Sequence, residues 1–131
     1  MHLIVDAMNV IGSRPTGWWR DRDAAVRTLL QKLQRLAGQD HSDISLFIDG
    51  RPLQDLPEGD HAGVHVYYAS RRGPNAADDR IVRFLRDHDD PASLDVITSD
   101  RALAARAKAL GAQVHGATTL LARLDALDES R

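Results

Sequence analysis

The sequence predicts an α/β domain: a mostly parallel sheet covered by helices on both faces. Three observations carry this. Short apolar runs of strand length alternate along the chain with longer segments whose apolar residues recur at helical spacing. At 131 residues the chain is long enough for a real core and too short for two ordinary ones. No internal repeat, low-complexity tract or linker divides it, so residues 1–131 read as one domain.

Element by element, Leu3-Ile4-Val5 is a first strand, and Asp23 to Ala37 a helix with Val26, Leu29, Leu30, Leu33 and Leu36 on one face. Ile44 to Ile48 is a second strand, stopped by Asp49-Gly50. The stretch from Arg51 to Gly63 carries Pro, Gly and Asp and reads as loop, leading into a third strand, Val64 to Tyr68. Gly73-Pro74-Asn75 supplies a turn and an N-cap for a helix from Asn75 to Asp87. Leu94 to Ile97 is a strand, and Arg101 to Leu110 a helix capped by Gly111. Gln113 to His115 and Thr118 to Leu127 close the chain as strand and helix. The sheet thus has about five strands.

Composition narrows the function. Hydrophobic residues are 43% and charged ones 27%, which excludes a disordered chain. No apolar run approaches the ~18 residues of a membrane span, and the first residues lack the basic stretch and length of a signal peptide. The absence of cysteine excludes disulfides, thiolate zinc sites and cysteine nucleophiles, and is compatible with a cytoplasmic location. Net charge is −2, yet 15 of the 17 basic residues are Arg and 17 of the 19 acidic ones are Asp. Setting aside Asp6, Asp49, Asp78, Asp79 and Asp100 leaves 14 acidic against 17 basic residues, a surface permissive for an anionic partner. The six histidines show no paired metal spacing.

In parallel α/β sheets ligands bind beyond the carboxyl ends of the strands. The residues there are Asp6, Asp49 and Asp100, with the helix-opening pair Asp78 and Asp79 nearly in line. Asp6 interrupts the apolar run Val5-Asp6-Ala7-Met8-Asn9-Val10-Ile11, where a carboxylate is costly unless paired or bound to a cation. Asp49 before Gly50 also fits a turn, and Asp100 in Thr98-Ser99-Asp100-Arg101 also fits a helix cap. Asp78 shares a helical face with Ile81, Val82 and Leu85, so it continues the buried stripe. Asp79 is rotated away, with Arg83 at i+4 as its expected partner. Converging carboxylates repel and raise one another's pKa unless a cation compensates. Hard oxygen ligands of this kind suit Mg²⁺ or Mn²⁺.

The runs Asp6-Ala7-Met8-Asn9-Val10, Ala77-Asp78-Asp79-Arg80-Ile81 and Thr98-Ser99-Asp100 resemble, in that order and spacing, the NYN domain, the YacP-like branch of the PIN-like nucleases. The resemblance extends from residue 3 to about 125. It implies a PIN-like three-layer α/β/α sandwich and a metal-dependent ribonuclease. It further implies Asp6, Asp78 and Asp100 as metal-site carboxylates, with Asp79 and Asp49 as outer members. Asn9 becomes an orienting residue, and Thr98 or Ser99 a hydroxyl near the substrate phosphate. One departure is visible: Ala7-Met8 stands where the family often has Gly-Tyr between Asp and Asn.

A substrate surface is expected on Ser13 to Arg22, which follows the Asp6 strand and holds both tryptophans. Arg14, Trp18, Trp19 and Arg20 fit single-stranded RNA, where bases stack on rings and phosphates meet Arg. For at least one of Trp18 and Trp19, burial as an anchor of the loop onto the helix is the favoured alternative. Arg71 and Arg72, just before the Asp78 helix, are further candidate phosphate contacts. A short domain with so few specificity elements would borrow selectivity from a larger RNA-containing assembly. Glycine patterns of dinucleotide or P-loop sites are missing after the first strand. Met8 stands where a haloacid-type phosphatase wants a carboxylate, and a receiver domain would want an acidic pair and a late Lys. The rival reading is a catalytically inactive PIN-like module that binds RNA or protein.

Overall fold

A computed structural model of the chain describes residues 2–69 and 76–129. In chain order the elements are β1 (His2–Asp6), α1 (Ala7–Gly12), α2 (Arg22–Asp40), β2 (Asp43–Asp49), β3 (Gly59–His61), β4 (Val64–Ala69), α3 (Ala76–Asp87), β5 (Leu94–Ile97), α4 (Arg101–Ala109), β6 (Gln113–His115) and α5 (Ala117–Glu129). The strands form one sheet in the order β3-β4-β2-β1-β5-β6. Every pairing is parallel except β3 with β4. From β1 the chain builds outward through β2 to β4, then returns across β1 to lay down β5 and β6. The order therefore reverses at β1, whose end is the switch point where such sheets bind ligands.

Two apolar clusters lie on opposite faces of the sheet. Leu3, Val5, Leu46 and Ile48 pack against α1, α2 and α5 through Val10, Leu33, Leu36 and Leu120. Ile4, Phe47 and Val96 pack against α3 and α4 through Ile81, Leu85 and Leu103. Alternate residues of one strand serve opposite faces, so both faces of β1 and β2 must be apolar. The result is the expected three-layer α/β/α sandwich.

Three local features depart from the sequence reading. Ala7–Gly12, expected as the continuation of an apolar run, is a short helix starting immediately after Asp6. Among the described residues the sheet has six strands, because part of the expected loop from Arg51 to Gly63 pairs as β3, joined to β4 through Ala62 and Gly63 at positive φ. The rest of that loop is pinned by Tyr68, whose buried hydroxyl donates to the Leu56 carbonyl (2.6 Å). Helix α2 continues past Ala37 and Gly38 to Asp40, ending at His41 in the left-handed region. The turn at Gly73-Pro74-Asn75 lies outside the described residues. Among the described residues no helix is long and apolar enough to cross a membrane.

Candidate active site

Parallel pairing brings the carboxyl ends of β1, β2 and β5 to one edge. Asp6 ends β1, Asp49 ends β2, and Thr98-Ser99-Asp100 follows β5 directly. Helix α3 presents Asp78 from its first turn toward the same edge, on the face carrying Ile81, Val82 and Leu85. Asp6 is 5% and Asp78 9% exposed, and both belong to the small set of buried polar residues among the described ones.

Their electrostatics show that these acids share one environment. Burial, then the Asp78 and Asp49 charges, push the Asp6 carboxyl up to about 7; the Thr98 hydroxyl and the Asn9 backbone amide oppose them. Burial, then the Asp100 and Asp49 charges, push Asp78 up to about 6, with Arg106 pulling the other way. Three carboxylates and a fourth at the rim thus act on one another across the end of β1.

Hydrogen bonds hold this rim. Asn9, on α1, accepts from the Ser99 backbone N–H through Oδ1 (2.7 Å), tying the helix after β1 to the turn after β5. The buried Thr98 hydroxyl donates to Asp6 Oδ2 (3.3 Å) and accepts from the Asp100 N–H (3.1 Å), so one side chain bridges two acidic positions. The Ser99 hydroxyl accepts from the Ala117 N–H (3.0 Å) and caps α5. Asp100 Oδ1 accepts from the Ala102 and Leu103 N–H groups (2.8 and 3.1 Å), capping α4. Asp49 Oδ1 accepts from the Ala77 N–H (2.9 Å), which holds the first turn of α3, and hence Asp78, against the end of β2.

Among the described residues the side-chain oxygens at the rim belong to carboxylates, hydroxyls and the Asn9 amide, the chemistry a hard divalent cation takes. Repulsion between buried carboxylates is what such a cation would relieve. Among the described residues, however, no group of three or more His, Asp or Glu side chains is already arranged to hold a metal ion.

The remaining predicted residues are placed as follows. Asp79 pairs with Arg106 of α4 (3.1 Å) rather than with the expected Arg83, because the α3–α4 contact outweighs the i+4 geometry. Arg106, absent from the sequence reading, also lowers the pKa of Asp78; no local signal could reveal a partner 27 residues away. Arg14 forms a two-pronged ion pair with Asp125 of α5 (2.8 and 3.3 Å). Trp18 and Trp19 stand edge-to-face at 6.1 Å in a 3-10 turn; Trp18 is partly buried, while Trp19 is 59% exposed. Arg20 ends that turn on the surface. Arg71 and Arg72 lie outside the described residues.

The family model for the YacP-like NYN domain matches residues 3–131. The chain belongs to that family. Two crystal structures of Rae1 (YacP) from Bacillus subtilis have the fold of this YacP-like NYN domain. One, of a point mutant, superposes with a TM-score of 0.79 at 20% identity, covering 99% of this chain and 77% of that one. The other gives 0.78 at 22% identity, covering 99% and 76%. At these identities the likeness concerns the fold. No curated protein matches the chain.

Proposed function

We propose that this YacP-like NYN domain is a metal-dependent ribonuclease that hydrolyses RNA phosphodiester bonds at the head of β1. The observation that carries the reading is the pair of buried, mutually repelling carboxylates, Asp6 and Asp78, at the switch point of the sheet. Asp6, Asp78 and the uncapped oxygen of Asp100 would hold Mg²⁺ or Mn²⁺, with Asp49 and Asp79 at the margin. The cation, when bound, supplies an activated water and stabilises charge on the phosphoryl oxygens.

The chain's own residues set the geometry around it. Asn9 and Thr98 fix the turn that carries Asp100, Asp49 fixes the turn that carries Asp78, and Arg106 balances the acidic rim without closing it. Single-stranded RNA, presented alone or within a larger RNA-containing assembly, is the substrate this reading favours. Arg20, Trp18 and Trp19 contribute the surface next to α1, with Arg14, Arg71 and Arg72 as further phosphate contacts.

One observation favours a second reading, a non-cleaving module that binds RNA or protein: Asp49 and Asp100 each commit an oxygen to a helix N-terminus. Cleavage of single-stranded RNA with Mn²⁺ and with EDTA, using Asp6→Asn as control, tests the proposal. Mn²⁺-dependent cleavage lost in Asp6→Asn is the expected result. Cleavage indifferent to both, or absent altogether, overturns it.

A further inference from the structure

Beside α1 lies an open cleft of about 370 Å³, separate from the acidic rim and bordered by α1, the Trp18–Arg20 turn, α2 and α5. Its floor is apolar, formed by Val10, Ile11, Leu29 and Leu121, and Trp18 forms a wall. Gly17, at φ +77, lets the chain fold back so that the Trp18 ring lies over Gly12 at the end of α1.

The charge at the mouth is complementary to a phosphate chain. Arg14, Arg20 and Lys32 line the cleft, against the single carboxylate of Asp21. That carboxylate accepts from the Ala24 N–H and caps α2, and Arg14 is occupied by Asp125. Arg20 and Lys32 form no ion pair among the described residues, although the Lys32 charge is felt by Asp125. An apolar slot with an aromatic wall and two cations outside any direct ion pair among the described residues matches a nucleotide, with the base inside and the phosphate outside. Its volume is at the lower end of ligand pockets, roughly 300–1,000 Å³.

We propose that this cleft takes one unstacked base of single-stranded RNA, with Arg20 and Lys32 on the adjoining phosphates. The proposal rests on the RNA reading of the acidic rim. Val10 follows Asp6 by four residues, about 6 Å of helix rise. The cleft therefore borders the helix that leaves the end of β1, and a base seated in it would place the strand on the α1 side of the acidic rim.

Trp18 reports on this directly. The chain has two tryptophans, so Trp19→Phe leaves Trp18 as the single tryptophan fluorophore, excited beyond the absorption of Tyr67 and Tyr68. In that background a short oligoadenylate should quench Trp18, and an abasic ribose-phosphate strand of equal length should bind about ten- to a hundredfold more weakly, the size of one lost stacking contact. Ala25→Leu fills the cleft and should bring oligoadenylate down to the abasic value. Thr28→Leu, at an exposed lining position remote from the core, repeats the test should Ala25→Leu fail to fold. Equal binding of the two strands, or unchanged binding in a folded cleft-filling variant, overturns the proposal. So does quenching by a leucine-rich helical peptide without quenching by oligoadenylate, which makes the cleft a protein-docking groove. The two readings fail separately. Mn²⁺-dependent cleavage with a KM indifferent to Thr28→Leu removes the cleft and keeps the nuclease. Base-dependent quenching without cleavage does the opposite.

Discussion

Replacing Asp6 by Asn should stabilise the metal-free protein, and only above a defined pH. The folded pKa of Asp6 is raised from 3.8 to about 7. The folded state therefore binds the proton more tightly than the unfolded chain does. Stability from this residue is complete below about pH 4 and is lost as pH rises toward about 7. At 1.36 kcal/mol per unit, a rise of about 3 units gives a ceiling of about 4 kcal/mol lost at neutral and alkaline pH. Asn occupies the same volume, keeps an acceptor for the Thr98 hydroxyl and never ionises. Its amide needs a new partner beside Asp78, so about half the ceiling, ~2 kcal/mol, is the expected gain. For a chain of this size that is a rise of about 6–10 °C in Tm at about pH 8. The gap should shrink severalfold at about pH 4. Thermal and urea unfolding of both proteins in EDTA, followed by circular dichroism across that range, measures it. A less stable Asp6→Asn protein at alkaline pH, or a gap of the same size at both ends, would refute the electrostatic account of the rim.

Other outcomes follow from the same contacts. Asp78→Asn should abolish Mn²⁺-dependent RNA cleavage, while Asp79→Asn, which loses only the exposed Arg106 pair, should weaken it; equal, total loss in both would show that both positions hold the cation. Thr98→Val removes the hydroxyl joining Asp6 to the Asp100 N–H and should cost about 1–3 kcal/mol in urea unfolding; no measurable loss would mean that the bridge is not formed in solution. Arg20→Gln should flatten the salt dependence of RNA binding by about 0.7 log units per log unit of salt, the value for one lost phosphate contact on a single strand. Arg14→Gln should flatten it less, since Arg14 shares its charge with Asp125, and an unchanged slope in that variant would take Arg14 off the RNA.

Helix α3 shows how far local pattern reaches. Asp78, Ile81, Val82 and Leu85 fall on one face by spacing alone, and all four are buried. Gly111 likewise ends α4 at positive φ, with its N–H donating to Lys108 (2.9 Å), as a glycine in that position leads one to expect. Asp79 marks the limit. Its i+4 neighbour on the helix lost to Arg106, because an exposed helical pair is worth only tenths of a kcal/mol and yields to whichever cation the tertiary packing brings near. Helix α1 was illegible for a related reason: six residues are too few for helical periodicity to show.

By itself, then, the sequence determined the alternation of strands and helices, the two-faced burial of β1 and β2, and the carboxylates that end them. These follow from hydrophobic period and chain direction, which are local properties. Only the tertiary structure decided that β5 returns to the far side of β1, and with it that the Thr98 hydroxyl joins Asp6 to Asp100 and that Asp49 secures the turn bearing Asp78. It alone decided the cleft between α1, α2 and α5. Such contacts join residues tens of positions apart. Their energies depend on distance and burial in the folded chain, and neither is encoded in any short window of residues.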